Sequence, residues 1–370
     1  MLKPRYVMIG GFLGAGKTTA ILQLAKRLHE QGRKVGLITN DQSSGLVDTT
    51  LLKSAGFNTE EITGGCFCCR FGSLVDAAEK LSSSAAPEIF IAEPVGSCTD
   101  LQATVAFPLR RLYGENYTIA PLSVVVDPHR AARVLGLTSG KTFSPKVLYI
   151  YEKQLEEAEL VVINKCDLIT LEEQDALQAA IEQRFPHVRV LRISARSGEG
   201  VDAWLETICG GETAAVTPMS VDYDLYAEGE ALLGWLNLSA TLTGPEFDGN
   251  DLLNRLGTTL RTRLDEQGLE VAHLKMTLTP DSGSDIAAGN LVRNQTEFQL
   301  SHELAEPLDE GDLILNLRAE GEPELLRQLA EATLNAVSTG LDVAATVTQG
   351  EAFRPGRPEP THRLASINPV

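Results

Sequence analysis

The segment Gly11–Thr18 has the composition and spacing of a loop that holds the phosphates of a nucleotide. Its sequence, Gly-Phe-Leu-Gly-Ala-Gly-Lys-Thr, fits the pattern G-x-x-x-x-G-K-[ST] in full. Glycines let backbone N–H groups turn towards a β-phosphate, Lys17 can span the β- and γ-phosphates, and the Thr18 hydroxyl is a ligand for Mg²⁺. We therefore expect a nucleoside triphosphate site that uses Mg²⁺. Its predicted contact residues are Gly11, Gly14, Ala15, Gly16, Lys17, Thr18 and Thr19.

A second motif indicates which base is bound. Asn164, Lys165 and Asp167 follow directly on an apolar run, in the sequence Asn-Lys-Cys-Asp. An aspartate there can accept hydrogen bonds from N1–H and N2–H₂ of guanine, a pair of donors that adenine lacks, and leaving them unpaired would discriminate strongly. Ser194 and Ala195, after the next apolar run, offer a loop against which the base can pack. The sequence predicts GTP as the substrate and GDP as a product.

Two further polar segments are candidates for the parts that respond to the γ-phosphate. Glu93 and Gly96 follow an apolar run, where a second carboxylate on the magnesium side and a glycine near the γ-phosphate are needed. Asp41 begins a loop with Gly and Ser after another apolar run. With Lys17, these three are the predicted catalytic residues, although Glu93 and Asp41 could also serve only as a helix cap or a turn residue.

Three thiols crowd into four positions at Cys66, Cys68 and Cys69. They could bind Zn²⁺ or another transition metal such as cobalt or Cu(I), but three sulfurs do not complete a tetrahedral site. In an extended segment Cys69 would face away from the other two. Asp41 and His129 are candidates for a further ligand. An incomplete site suits delivery, and a metal held between the two switch segments would respond to the nucleotide. A redox-active thiol pair or small buried cysteines are the alternatives.

Alternating elements must position these residues. Through about residue 210, short apolar runs alternate with segments of helical apolar spacing, which predicts a doubly wound, mainly parallel sheet in a nucleotide-binding domain at residues 1–210. The predicted strands are Tyr6–Ile9, Lys34–Thr39, Glu88–Ala92, Leu122–Val126, Leu160–Ile163 and Val188–Ile193. The predicted helices are Thr18–Glu30, Ser73–Leu81, Leu171–Arg184 and Val201–Ile208.

The pattern changes after residue 210. Residues 211–222 are predicted to be a linker because the stretch Gly210–Pro218 contains two glycines, two threonines and a proline and breaks the preceding pattern. Residues 223–350 contain two strand–helix–strand units, which suggest a smaller α+β domain of ferredoxin-like type that selects the client or regulates the protein. Residues 351–370 are predicted to be a proline-rich, locally basic tail.

Composition excludes several classes of protein. The 370 residues carry a net charge of −18, which argues against attraction to nucleic acid or to an anionic membrane surface. The sequence has no run of about 18 apolar residues, as a membrane-spanning helix would need. The first residues are interpreted as a buried strand rather than a signal peptide. Since the other three cysteines are scattered, no disulfide framework is expected, and we predict a cytoplasmic protein.

Four segments together resemble a known family. Gly10–Thr19, Gly65–Cys69, Glu93–Gly96 and Asn164–Leu168, in that order, are similar to the motifs of the CobW-like GTPases, which are relatives of the urease and hydrogenase nickel-insertion GTPases. The resemblance covers about residues 5–210. It implies a GTPase with slow intrinsic turnover that is regulated by a metal, carries that metal to a client protein and often has a dimeric GTPase module.

The resemblance also assigns residue roles and shows departures. It implies that the three clustered cysteines bind the metal, that Lys17 and Thr18 bind phosphate and Mg²⁺, and that Asp167 binds guanine. The first switch of the family often has Asn-Glu, whereas this chain has Asn40 followed by Asp41. Many members carry a histidine-rich loop; the six histidines here are scattered. The region after residue 210 does not match the usual C-terminal domain of the family.

These observations support three functions in order of preference. The first is a metal-binding GTPase that times delivery of zinc or cobalt to a client metalloprotein or cofactor-maturation target. The second is a GTPase that loads or protects a cobalamin-dependent enzyme, in which the cysteines are secondary. The third is a small-molecule kinase, although the guanine motif and the lack of an acceptor lid argue against it. The resemblance allows a homodimer in the first case, and no nucleic-acid or membrane partner is expected in any.

Overall fold

The computed structural model describes residues 3–40, 47, 52–53, 55–210, 218–282 and 285–365. The chain divides into two compact units. The first unit comprises Met1–Ser44, Leu51–Ala227 and Arg357–Val370, and the second comprises Gly45–Thr50 and Glu228–Gly356. Among the sequence-predicted features, Asp41, residues 211–217 of the linker and residues 366–370 of the tail lie outside the described residues.

The first unit is built on an eight-stranded sheet within the described residues. Every strand pairing recorded in it is parallel. Its strands are β1 (Arg5–Gly10), β2 (Val35–Asn40), β3 (Thr59–Ile62), β4 (Ile89–Glu93), β5 (Thr118–Ile119), β6 (Ser123–Val126), β7 (Leu160–Ile163) and β8 (Arg189–Arg192). Their spatial order is β3-β2-β4-β1-β6-β7-β8, with β5 also paired to β1.

Helices connect these strands and follow the last of them. They are α1 (Lys17–Glu30), α2 (Phe71–Ala85), α3 (Phe107–Tyr113), α4 (Pro128–Val134), α5 (Pro145–Glu157), α6 (Leu171–Arg184), α7 (Val201–Gly210) and α8 (Tyr223–Leu232), with a π-helical turn at Gln102–Ala106 and a 3₁₀ turn at Cys166–Leu168. Strands β2, β4, β6 and β7 are buried along their whole length. Their continuous apolar sequences are typical of strands covered on both faces by helices. The predicted doubly wound parallel sheet is confirmed.

Parallel pairing determines where the polar residues meet. The carboxyl ends of neighbouring parallel strands lie at one edge of the sheet, and ligands of such folds bind outside that edge. Five strands of this sheet end at Gly10, Asn40, Glu93, Val126 and Ile163. The phosphate loop follows Gly10, the segment to Gly96 follows Glu93, and Asn164 follows Ile163, whereas the cysteine motif follows β3.

The second unit contains an antiparallel sheet of six strands in its described residues, with spatial order β12-β11-β10-β13-β9-β14. The strands are β9 (Leu233–Phe247), β10 (Glu270–Pro280), β11 (Ala287–Leu291), β12 (Gln299–His302), β13 (Leu308–Glu320) and β14 (Ala344–Phe353). The helices are α9 (Gly249–Glu266) and α10 (Pro323–Gly340). Leucines from both helices and from the central strands form one apolar core.

The chain order of the second unit is that of two interleaved strand–helix–strand units. Strands β9, β10, β13 and β14, with α9 and α10 between them, have the element order and strand order of a ferredoxin-like domain. The pair β11 and β12 extends this sheet beyond β10. The predicted α+β class is therefore confirmed. No helix in the described part of the chain is long and apolar enough to cross a lipid bilayer.

Candidate functional site: a nucleotide loop beside a thiol cluster

The phosphate loop lies between the end of β1 and the start of α1, within the first unit. Gly11 has φ 129°, and a Cβ there would lie 2.2 Å from the Val125 carbonyl oxygen, so only glycine fits. Gly16 has φ 88° directly before α1. The amides of the first helical turn therefore face the position that the sequence predicts for the phosphates, and they offer both N–H donors and the positive end of the helix.

Thr18 and Glu93 meet beside this loop. The Thr18 hydroxyl lies 3.2 and 3.1 Å from the two carboxylate oxygens of Glu93. Lys17 Nζ lies 3.8 Å from the same carboxylate, and all three side chains are buried. A hydroxyl and a carboxylate are the hard oxygen donors that Mg²⁺ prefers, so these residues fit the predicted magnesium site. This contact exists because β4, which ends at Glu93, pairs with β1.

Gly96 packs closely against the phosphate loop. A Cβ at Gly96 would lie 2.7 Å from Leu13 Cδ2 and 3.1 Å from the Leu13 backbone nitrogen. Gln154 of α5 anchors this segment, since its side-chain amide donates to the carbonyl oxygens of Gly96 at 2.9 Å and of Cys98 at 2.8 Å. The structure therefore places the predicted γ-phosphate glycine in contact with the loop that would bind the nucleotide.

The Asn164 side chain links two loops of the site. Its Nδ2 donates to the Ala15 carbonyl oxygen at 2.9 Å, and its Oδ1 accepts from the Ala195 amide at 2.9 Å. The Asn164–Asp167 motif thus joins the phosphate loop to the loop that begins at Ser194. Asp167 lies in the 3₁₀ turn with an exposed side chain, which leaves its carboxylate accessible to a base.

Lys165 has a structural partner that sequence reasoning missed. Its Nζ donates to the Gly14 carbonyl oxygen at 2.8 Å and forms an ion pair of 2.9 Å with Asp127. Asp127 also caps α4, by accepting from the Arg130 amide. The only signal in the sequence was that Asp127 follows an apolar run, as Glu93 and Asn164 do.

The three clustered cysteines converge. Cys66 Sγ lies 2.8 Å from Cys68 Sγ and 3.0 Å from Cys69 Sγ, and the third pair is separated by 3.7 Å. The segment is a turn rather than the extended chain expected from the sequence, because the amides of Cys69 and Arg70 both donate to the Cys66 carbonyl oxygen, at 3.0 and 2.9 Å. The turn brings Cys69 to the same side as the other two. These thiols form the one group of potential metal ligands found among the described residues.

The thiols share protons unequally. Hydrogen bonds from Cys68, Cys69 and Cys98 lower the pKa of Cys66 well below its usual value. Hydrogen bonds of Cys68 with Cys66, Cys69 and Cys98 raise its pKa well above the usual value, and the hydrogen bond with Cys66 raises the pKa of Cys69 to about 11. One thiolate stabilised by neighbouring S–H donors is a suitable starting point for binding a soft or borderline metal ion.

Asn40, the last residue of β2, positions the cysteine turn. Its Nδ2 donates to the carbonyl oxygens of Ile62 at 3.1 Å and Gly65 at 2.7 Å, and its Oδ1 accepts from the Phe67 amide at 2.9 Å. In the parallel register of β2 and β4, the residue before Asn40 pairs with Glu93. The residue that orders the thiol turn is therefore a near neighbour of the residue that fits Mg²⁺.

Asp41 and His129 were the two candidates for a further metal ligand. Asp41 lies outside the described residues. His129 lies on α4, which packs against α6. The structure does not bring His129 into the group of cysteines that it forms in the described part of the chain.

Part of the C-terminal tail contacts the cysteine turn, which sequence reasoning also missed. We call residues 357–365, all in the first unit, the strap. The Glu359 amide donates to Cys69 Sγ at 3.3 Å, and the amide of Thr361 donates to the Cys68 carbonyl oxygen at 2.8 Å. Arg363 pairs with the buried carboxylate of Asp100 at 2.7 Å. The basic composition of the tail was its only visible signal.

Comparison with known protein families agrees with this combination of a phosphate loop, a guanine motif and a thiol cluster. A model of the CobW/HypB/UreG nucleotide-binding domain matches residues 5–192. The chain belongs to this family.

Individual relatives share part of their length with this chain. It is 28% identical over 211 residues to the zinc chaperone CobW of a Sinorhizobium species, covering 52% of this chain and 59% of the relative. It is 30% identical over 198 residues to the hydrogenase maturation factor HypB of Azotobacter chroococcum mcd 1, covering 53% of this chain and 56% of the relative. The Zn(II)-bound YjiA GTPase from E. coli aligns over 92% of this chain and 99% of its own, at 15% identity and a TM-score of 0.40. The chain thus spans little more than half the length of the two curated relatives.

Proposed function

We propose that this protein hydrolyses GTP to GDP and phosphate, slowly, and uses that reaction to time the delivery of a transition metal to a client protein. The observation that carries the proposal is the convergence of Cys66, Cys68 and Cys69 in a turn held by Asn40, at the end of the strand that pairs with the strand of Glu93. Zinc is the first candidate because thiolates favour it over the hard ions Mg²⁺ and Ca²⁺, and because the family includes zinc chaperones. Cobalt is the second.

The nucleotide half of the reaction follows from the loop. Lys17 and the amides of the first turn of α1 would bind the phosphates and neutralise charge that develops on transfer to water. Mg²⁺ would supply further charge neutralisation when bound by Thr18 and Glu93. Asp167 would select guanine. Asp41 is proposed to act on the attacking water or on the metal, as its place after β2 suggests.

Coupling between the nucleotide site and the thiol cluster is supported by the pairing of the two strands that position them. Asn40 and Glu93 end neighbouring parallel strands, and the residue before Asn40 pairs with Glu93. Gly96 lies close to Leu13 of the phosphate loop. A shift of the segment Glu93–Gly96 on loss of the γ-phosphate would reach the strand that holds the cysteine turn. Because a metal bound there would favour one nucleotide state, the nucleotide must by linkage alter metal affinity equally.

The remaining proposals concern context. The client would be a metalloprotein or an enzyme under maturation, with the second unit selecting it, and the GTPase module would form a homodimer. A cytoplasmic location fits a protein whose six cysteines, all described, form no disulfide. The acidic net charge of −18 does not favour nucleic acid.

The test compares three proteins. Wild type, a Cys66→Ser, Cys68→Ser variant and a Cys209→Ser control would be titrated with Zn²⁺ and Co²⁺ in the presence of GDP or a non-hydrolysable GTP analogue. Phosphate release would be measured with and without metal. We expect wild type and control to bind one metal ion and to change their GTPase rate with it, and the double variant to lose both properties.

Each other result rejects the proposal. If the double variant binds zinc and responds to it as the wild type does, the thiol turn is not the metal site. Phosphate transfer to a metabolite without release of free phosphate would show a kinase. Metal-independent GTPase activity together with co-purification of a corrinoid enzyme would show a cofactor-loading protein.

A further inference from the structure

We propose that the strap, residues 357–365, is a gate over the thiol cluster of Cys66, Cys68 and Cys69, and that the nucleotide sets how often it opens. This deepens the proposed function and rests on it. In its closed form the strap bridges two loops of the first unit, the cysteine turn and the segment that follows β4. Metal would enter and leave the thiols when the strap lifts.

The thiol cluster needs an element that moves, because two of its members are enclosed. Cys66 is 6% exposed and Cys68 is 1% exposed, whereas Cys69 is half-buried. An ion that is loaded and later passed on has to reach these sulfurs and leave them again. The strap lies against the half-buried member, since the Glu359 amide donates to Cys69 Sγ at 3.3 Å.

The strap contacts the backbone of the turn as well as its sulfur. The Thr361 amide donates to the Cys68 carbonyl oxygen at 2.8 Å, and the Thr361 hydroxyl donates to the Cys69 carbonyl oxygen at 3.1 Å. The next residue, His362, packs edge-to-face against Phe71, the first residue of α2, with ring centroids 5.0 Å apart. The strap therefore follows the cysteine turn into the helix after it.

Prolines prepare residues 358–361 of the strap for these contacts. Pro358 and Pro360 fix their own φ angles and keep the residues before them out of the helical region, so the segment is extended before it binds. Because proline has no N–H group, the segment has two amides, those of Glu359 and Thr361. Both donate to the cysteine turn. The sequence thus keeps an amide donor at each position that contacts the turn.

The strap can lift without opening an apolar core. In this fully described segment, Pro358 is the one buried residue, and no residue belongs to a helix or a strand. The contacts that hold it are mainly hydrogen bonds, so opening exchanges bonds to the protein for bonds to water. A net loss of one such bond changes an equilibrium constant by about fivefold. A small set of these bonds keeps a gate closed for most of the time and still lets it open.

The other end of the strap is anchored on the segment that would respond to the nucleotide. Arg363 Nε lies 2.7 Å from Asp100 Oδ2, and the Leu364 amide donates to the Ala103 carbonyl oxygen at 2.8 Å. Asp100 lies shortly after Gly96 in the chain. It is buried and has φ 65°, a left-handed conformation that costs free energy in a residue other than glycine. The anchor is therefore a strained position that its surroundings hold in place.

Gln154 joins this anchor to the predicted switch. Its side chain donates to the carbonyl oxygens of Gly96 and Cys98, so Gly96 and the residues leading to Asp100 share one support. A shift of Gly96 on loss of the γ-phosphate would displace Asp100 and weaken its ion pair with Arg363. The strap would then lift from the thiols and a client could reach the metal. GTP would favour the closed gate and GDP the open gate, as a ligand that binds two forms unequally shifts their populations.

Zinc release tests the gate. Zinc-loaded wild type, Thr361→Val and Thr361→Pro would be mixed with an excess of a chromophoric chelator in the presence of a GTP analogue. Thr361→Val removes the hydroxyl contact and Thr361→Pro also removes the amide contact. We expect release to be faster by about fivefold and about 25-fold, from a factor of about five for each hydrogen bond.

The rate of loading separates a gate from a support. A gate speeds entry and exit together, so zinc loading should accelerate by similar factors and the zinc affinity should change less than about threefold, well below the change in rate. A strap that only supported the cysteine turn would lower the affinity and leave the loading rate unchanged. GDP affinity, measured on the same proteins, should stay as in the wild type.

Hydrogen exchange tests the nucleotide link without any metal. The amides of Thr361 and Leu364 should exchange faster with GDP than with the GTP analogue. Arg363→Gln should make their exchange fast with both nucleotides, because it disconnects the strap from its anchor. Arg357→Gln is the control, since the carboxylate that it pairs with, on Asp224, is exposed.

Two results would overturn the gate: an unchanged release rate in Thr361→Pro, or equal exchange of the strap amides with both nucleotides. A wild type that binds no zinc would instead reject the proposed function. The gate would then be judged by alkylation of the thiols with iodoacetamide, which should still be faster in Thr361→Pro than in the wild type. Equal alkylation rates would reject the gate as well.

Discussion

Replacing Asn40 with alanine tests whether the cysteine turn is prearranged by the nucleotide-binding sheet. The side chain makes three hydrogen bonds to the backbone of the segment from Ile62 to Phe67. Because Asn40 is buried, water would not readily replace those bonds. The turn would then lose its main connection to the end of β2. Part of the free energy of metal binding would be used to order the thiols, so the metal would bind more weakly.

The size of the effect follows from those three contacts. A typical net contribution of about 1 kcal/mol for each hydrogen bond gives about 3 kcal/mol for ordering the turn. If that ordering must be supplied when the metal binds, affinity falls by about 100-fold, since about 1.4 kcal/mol corresponds to a factor of ten. Asn40→Asp should be at least as harmful, because it keeps the acceptor for the Phe67 amide but turns a carboxylate towards the carbonyl oxygens of Ile62 and Gly65.

The assay is zinc competition against a chromophoric chelator, with a fluorescent GDP analogue as a second probe. We expect both Asn40 variants to bind zinc about 100-fold more weakly than the wild type, on the hydrogen-bond magnitudes above. GDP affinity should change little, because the phosphate contacts come from the loop before α1. Exposed Asn116, changed to alanine, is the matched control. Zinc affinity within threefold of the wild type in a folded Asn40→Ala protein would refute the reasoning.

Three more substitutions have definite expected outcomes. Gly96→Ala should retain GDP but lower the GTPase rate at least about tenfold, because the added Cβ would meet Leu13 at 2.7 Å and displace the switch turn. Arg363→Ala should speed alkylation of Cys69, because it removes the 2.7 Å ion pair that fastens the strap. Burial raises the pKa of Glu157 from 4.5 to about 8, so the folded protein keeps a proton that the unfolded chain loses in this range. The free energy of unfolding should therefore fall between about pH 5 and 8, and less so in Glu157→Gln.

Each of these experiments has its own control. Gly72→Ala, where an added Cβ has open space, should leave the GTPase rate unchanged, and an unaltered rate in the switch variant would contradict the proposed contact. The thiol reaction would be compared with Arg357→Ala, whose partner Asp224 is exposed; equal alkylation rates in wild type and Arg363→Ala would reject the strap as a cover. For unfolding, exposed Glu206→Gln is the reference, and parallel pH profiles for wild type and Glu157→Gln would show that this carboxyl does not titrate as expected.

Much of the first unit was predictable because its signals are local. The six predicted strands correspond to β1, β2, β4, β6, β7 and β8, whose apolar runs are continuous. The strands that sequence reasoning missed, β3 and β5, are short and carry polar or exposed positions. In the second unit β11 (Ala-Ala-Gly-Asn-Leu) was missed because its small and polar residues give no alternation of apolar and polar positions.

The candidate site also shows that local sequence patterns do not predict contacts between distant segments. Spacing alone predicted roles for Lys17, Thr18, Glu93 and Asn164, because each role is inferred from the distance along the chain from a strand end. Spacing cannot show that the strap returns to Cys69, since that contact depends on the path of the whole intervening chain.

The cysteine cluster shows what a count of residues leaves out. From the sequence alone, three thiols in four positions predict an incomplete metal site, and an extended chain would place Cys69 on the opposite side from the other two thiols. In the structure, the Cys66 carbonyl oxygen accepts from two amides, and this makes the turn that brings the three thiols together. Because Asn40 at the end of β2 holds that turn, and β2 pairs with the strand that ends at Glu93, the thiol site is sensitive to the relative position of these two strand ends. A nucleotide that moves the end of β4 can therefore change metal affinity without altering any of the three sulfurs in the motif.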